Sequence, residues 1–255
     1  MSLVITDIDA KPPFTHEEAM QLQAVELERT LDFLRSLDAD DWTAQTVCPD
    51  WDVHRMYLHV LGACEAAASM RENVHQMRAA KRLQKSDGGP LEAGLSAVQV
   101  RERLDVTPAA LVERLAAVAP ATVRKRTRMP ALMRRMPMKI DGPVIETWKL
   151  GYLVDTIYLR DLWMHRVDAA EATGRELVLS ADHDGRIVAD VVAEWARRHG
   201  QPFTLTLTGP AGAAFSAIGS GGVAPTALEL DAVEFCRALA GRAEATGLLE
   251  TIVPF

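Results

Sequence analysis

The sequence predicts an α+β protein in two parts, a bundle of amphipathic helices over residues 1–175 and a small α+β domain over residues 176–255. Three observations carry this. Apolar residues recur at helical spacing through most of the first part, whereas the runs FTLTLTG, AAFSAIGSGG and TALELD change to the grammar of strands and turns. Gly174 stands where a glycine cap would close the last helix of the bundle. At 255 residues and 48% apolar content, the chain is long enough to bury such a core.

Thr15 followed by Glu18 has the spacing of a capping box, and Met20, Leu27, Leu31 and Leu34 continue one apolar face to about Leu37. After the turn-like TVCPDW, a second helix is expected from Asp52, with Val53, Met56, Val60 and Cys64 on one face, until the chain turns polar near Gln76. KSDGGP reads as a loop. Pro108 suits the first turn of a third, short helix with Leu111, Leu115 and Val118 inward, and Pro120 is expected to end it. Residues 124–143, rich in Arg, Lys and Met and interrupted by three prolines, read as a long connection. The fourth helix is expected from about Val144 to Ala172. Beyond it come a helix near residues 182–199, the strand-like runs, and a helix from about Ala232, with the boundary between the parts near Gly174 to Ser180.

A formal charge of −7 and a pI near 5.5 argue against nucleic acid as the main partner. The start, MSLVITDIDAKPPF, has neither a basic opening nor an apolar core of signal-peptide length, and no run approaches a membrane span. The expectation is a cytoplasmic protein. Cys48, Cys64 and Cys236 are odd in number and form no CxxC pair, which fits reduced thiols and leaves any metal to nitrogen and oxygen ligands.

Asp161 and His165 are four apart on the fourth helix, so both side chains leave the same face. With seven His and 35 acidic residues in the chain, about one acid-x3-His pair is expected by chance. Two occur, and context separates them. Asp50 and His54 sit at a helix entrance, where Asp50 suits a cap or a solvated position, while Asp161 and His165 lie deep in a long, mostly apolar stripe where both need partners. His59, in YLHVLG, has apolar neighbours and lies just ahead of Gly62, which would allow a close helix approach. It is the natural third ligand. A satisfied core histidine and an ordinary salt bridge are the competing readings of these residues.

Three strings then resemble one family, the mycothiol-dependent maleylpyruvate isomerases. TVCPDWDVHRMYLHVLG resembles the CPGW-then-helix-His signature of the family's N-terminal domain, a DinB-like four-helix bundle, and RDLWMHRVDAAEATG resembles its acid-x3-His-x2-Asp signature. FCRALAGRAEATGLLETIVPF resembles the family's C-terminal domain, which is related to sterol carrier proteins. The resemblance spans nearly the whole chain. It implies a metal site at His59, Asp161 and His165, with Asp161 replacing the isomerase's Glu and so one methylene shorter in reach. Zn(II) suits two imidazoles and a carboxylate, as do Ni, Fe and Mn, and three protein ligands would leave a position open for catalysis.

The resemblance further implies mycothiol or a similar thiol as cofactor, bound as thiolate and adding to the cis double bond of a small carboxylated electrophile, so that rotation gives the trans isomer. By the Gly241–Arg242 match, Arg242 is the candidate carboxylate clamp, with Arg237 as its rival. Asp168 matches the motif as a residue that orients a ligand. Trp51 and Trp163 could wall a pocket or simply pack, and Cys48 could be reactive or a small packing residue. The expected function is a metal- and thiol-dependent isomerase or S-transferase. The alternative is a non-catalytic binding protein for an apolar or acyl ligand with a structural metal. The oligomeric state is left open, a dimer included.

Overall fold

The structure, a computed structural model, describes residues 5–8, 11–141, 145–218 and 224–255. Val144 and residues 219–222 of AAFSAIGSGG lie outside the described residues. The chain forms two compact units, Thr15–Glu176 on the one hand and Met1–Phe14 together with Leu177–Phe255 on the other. Strand β1 (Ile5–Asp7) belongs to the second.

The helical unit opens with α1 (His16–Arg35). Thr15 Oγ1 accepts from Glu18 N–H at 3.1 Å and Glu18 Oε2 accepts from Thr15 N–H at 3.4 Å, so the expected capping box satisfies two donors that the helix cannot. Helix α2 (Val53–Ala68) starts behind Asp52, whose Oδ1 accepts from Arg55 N–H at 2.7 Å. It does not run to Gln76 as expected. Ser69 leaves helical geometry at φ −130 and ψ 116, and its hydroxyl accepts from Glu72 N–H at 3.3 Å to start α3 (Met70–Asp87). A serine with an N-cap partner three residues on prevails over the continuing helical pattern.

Helix α4 (Leu91–Arg101) is additional to those expected. Its apolar pattern is faint because its buried end, Val98 to Val100, includes the polar Gln99. Helix α5 (Pro108–Thr127) carries Pro120 inside it rather than ending there. Pro120 is exposed, and the helix beyond it is tied down where Thr122 Oγ1 donates to Cys64 O at 2.8 Å and Arg126 Nη1 donates to Gln23 Oε1 at 2.8 Å. Packing of the inner face thus outweighs the one hydrogen bond the proline removes.

The expected long connection instead begins as the end of α5 and holds the short helix α6 (Ala131–Arg134) and strand β2 (Pro137–Asp141), which pairs antiparallel with β3 (Ile145–Lys149) in the span expected to open the fourth helix. Pro137 stands first in its strand, where a missing N–H is tolerated. The last bundle helix therefore begins at Leu150, not near Val144: α7 (Leu150–Tyr152), a π-turn over Leu153–Ile157, and α8 (Tyr158–Thr173). It ends at Gly174, whose φ of 66 is the left-handed cap conformation.

The second unit holds α9 (Asp184–His199), β4 (Phe203–Thr208), β5 (Ala214–Ala217), β6 (Thr226–Asp231) and α10 (Ala232–Leu239). Its sheet has the order β1-β5-β4-β6, with β4 antiparallel to β5 and the two outer pairings parallel. Alternation in FTLTLT buries Phe203, Leu205 and Leu207 and turns the threonines outward. Phe203 meets Trp195 of α9 at 4.8 Å between ring centroids, and Phe235 of α10 meets the same ring at 5.3 Å. The predicted α+β class holds. No helix among the described residues is long and apolar enough to cross a membrane.

Candidate metal centre

Helix α2 carries His59 and α8 carries Asp161 and His165, and the two helices pack against each other. One ligand atom from each of the three side chains lies within 4.8 Å of the other two. His165 Nε2 is 3.3 Å from Asp161 Oδ1, and His59 Nε2 is 4.0 Å from Asp161 Oδ2. Metal bonds of about 2.0–2.2 Å in a tetrahedral arrangement set ligand atoms about 3.4 Å apart. The donor spacings of 3.3 and 4.0 Å lie near that value, so the three side chains could hold one ion between them.

Burial shapes the donor set. The side chains of His165, His59 and Asp161 are 7%, 14% and 35% exposed, so the cluster opens toward solvent at Asp161. Burial pushes the His59 pKa down to about 4; Asp161 opposes this, and the neighbouring His165 reinforces it. His59 therefore offers a neutral imidazole, the form that ligates metal. On α8, His165 also has Asp168 within 4.0 Å, between Nδ1 and Oδ2, which is ion-pair range rather than a hydrogen bond.

The turn before α2 supplies a wall. Thr46 Oγ1 and Gln45 Nε2 both donate to Trp51 O, at 2.6 and 2.9 Å, and Trp51 N–H donates to Cys48 O at 3.1 Å. This fixes the indole of Trp51 5.1 Å from the His59 ring and 6.4 Å from that of His165. Trp163 is wholly buried and packs in the core. Cys48 contributes its carbonyl to the turn. His54 of the second acid-x3-His pair is occupied elsewhere: its Nε2 lies 2.9 Å from Val106 O and its ring stands edge-on to Trp42, while Asp50 is exposed.

Arg237 and Arg242 belong to the second unit. There Arg237 Nη1 lies 3.5 Å from Glu234 Oε1, and Arg242 N–H donates to Arg237 O at 2.8 Å. Around the cluster in the helical unit stand residues that sequence reasoning did not single out. Gln99 and Gln76 are buried beside His59's helix, and Arg126 is buried with its guanidinium 4.2 Å from the Tyr158 ring centroid. Polar residues scattered singly on otherwise unremarkable helices carry no spacing signal, so only the folded arrangement reveals them.

Fold and site together define a class: a helical bundle with two imidazoles and one carboxylate brought together at the seam of two helices. Residues 24–170 match the family model described as the mycothiol maleylpyruvate isomerase N-terminal domain. The chain belongs to that family. Two solved structures resemble it, a mycothiol-dependent maleylpyruvate isomerase and a histidine-to-alanine variant of such an enzyme. Each is 15% identical, with 94% of this chain and 93% of that chain covered, and the TM-scores are 0.54 and 0.55. At that identity the likeness speaks for the fold. No curated protein matches the chain.

Proposed function

We propose that the protein is a metal-dependent isomerase or S-transferase that uses mycothiol or a similar low-molecular-weight thiol on a small carboxylated electrophile. The observation that carries this reading is the convergence of His59, Asp161 and His165 within one ion's reach in a member of this family. Zinc is the proposed ion. A divalent cation there would lower the pKa of a coordinated thiol and supply a nucleophile at neutral pH.

The chain's own residues would do the rest. Two neutral imidazoles and one carboxylate leave a net positive site when a dication is bound, which favours an anionic ligand at the open position. Trp51 packs against the His59 ring and Asp161 is the most exposed of the three, so approach would be from the Asp161 side. Arg242 is proposed as the clamp for the substrate carboxylate, since a guanidinium matches that group with two parallel hydrogen bonds. The three cysteines, none in a disulfide, suit the reducing cytoplasm.

The test is elemental analysis of the purified protein beside His59→Ala and His165→Ala variants, followed by turnover assays with mycothiol and maleylpyruvate. The wild type is expected to hold about one equivalent of transition metal, with both variants folded, metal-poor and inactive. A wild type that takes up no metal on reconstitution overturns the reading.

A further inference from the structure

Against the helix that carries His59, one turn along at Gly62, the protein has built a buried chain of polar side chains. Gln76, Arg103 and Gln99 are 1%, 4% and 6% exposed. Arg103 Nη2 donates to Glu65 Oε2 at 2.7 Å and to Glu72 Oε1 at 2.8 Å. Gln76 Nε2 donates to the same Glu72 oxygen at 2.8 Å and to Gly62 O at 2.9 Å, and Gln99 Nε2 donates to Gln76 Oε1 at 2.9 Å.

The direction of this chain is not free. An ionised carboxylate and a backbone carbonyl only accept, so Gln76 must turn its NH2 toward Glu72 and Gly62. Its Oε1 then requires a donor, which forces the NH2 of Gln99 toward it and leaves Gln99 Oε1 as an acceptor at the far end. Gln99 Oε1 and His59 Nδ1 are both buried and neither makes a hydrogen bond, and Gln99 is among the side chains that act on His59. The two atoms are complementary only if Nδ1 carries the proton. Gly62 makes the approach feasible, because a Cβ there would lie 2.7 Å from both Cβ and Cγ of Gln99.

We propose that Gln99 is a positioning residue: oriented from Glu72 through Gln76, it accepts a hydrogen bond from His59 Nδ1 and thereby holds the tautomer whose Nε2 lone pair faces Asp161. Its value to the metal rests on the metal-site reading above, but the tautomer itself does not. Such an outer partner fixes the ring and raises its ligand strength. A sequence-distant helix, α4, thus sets the chemistry of a ligand on α2.

The experiment is long-range 1H–15N NMR of the histidine side chains in the metal-free protein, with cobalt(II) affinity measured in parallel by competition with a chelator. Wild type, Gln99→Leu, Gln99→Glu and Gly62→Ala are compared. The wild type is expected to show His59 protonated at Nδ1. Gln99→Leu should lose that preference and bind cobalt(II) about 10- to 100-fold more weakly, and Gln99→Glu, which returns an acceptor, should recover most of both. Gly62→Ala, which displaces Gln99 without removing it, should move the same two readouts and serves if Gln99→Leu does not fold. Protonation of wild-type His59 at Nε2, or an unchanged tautomer in Gln99→Leu and Gly62→Ala, overturns the proposal. A wild type that binds no cobalt(II) would sink the metal reading alone, because the tautomer measurement still decides this one.

Discussion

Asp161, His165 and His59 are each ordinary as isolated residues, and their spacing is only modestly informative. What gives them chemical meaning is that burial keeps His59 neutral while Asp161 stays within 4.0 Å of it. Gly62 is the residue on which this arrangement leans most. A methyl group there would meet Gln99 at 2.7 Å, and overpacking of this kind costs about 1–3 kcal/mol, more than the roughly 1 kcal/mol that Ala gains over Gly as a helix former. Gly62→Ala is therefore expected to lower the urea midpoint of the protein despite its better helix propensity. The close approach at Gly62 was legible from the sequence, since a glycine just after a histidine on an apolar helix invites it. The partner was not, because α4 comes 29 residues later with hardly any amphipathic pattern of its own.

Among the elements, α5 and α9 show how local preference and packing divide the work. Pro120 lies inside α5 on an exposed position, and replacing it with Ala restores a hydrogen bond and relieves a clash worth up to about 3 kcal/mol, less about 1 kcal/mol for a freer unfolded chain. Pro120→Ala should thus raise stability by about 1–2 kcal/mol in denaturant titration. In α9, burial holds the His199 pKa below its ordinary value, and Gln201 N–H donates to its Nδ1 at 2.9 Å, which requires the neutral ring. The sign follows from proton uptake: below about pH 6.5 the unfolded chain binds a proton that the folded chain resists, so this stability is complete above that pH and lost as pH falls toward the folded pKa. His199→Gln should flatten the decline of the urea midpoint between pH 7 and 5. Helix α1, with its apolar stripe and capping box, and α9, with its strong stripe, were legible because their signals are local. The β2–β3 hairpin was not, since three prolines and a basic run outweighed any strand pattern in residues 124–143.

For the molecule as a whole, an ion at His59, Asp161 and His165 carries a further prediction. A ligand that binds only the folded form stabilises it by about 2.7 kcal/mol at 100 times its Kd, so added zinc should slow hydrogen exchange in α2 and α8, where the ligands sit, and His165→Ala should abolish the effect. By itself the sequence determined the α+β class, the capping of α1, the glycine stop after α8, the strand alternation of β4 and the pairing of Asp161 with His165 on one helix face. These depend on periods of two and 3.6 residues and on caps, all of which act within a few positions of the chain. Only the tertiary structure decided where α2 gives way to α3, that Pro137–Asp141 pairs with Ile145–Lys149, that β1 joins a sheet whose other strands lie some 200 residues on, and that Gln99 stands against Gly62. Those outcomes turn on which surfaces bury one another and which polar groups find partners there, and such contacts leave no periodic trace in the chain.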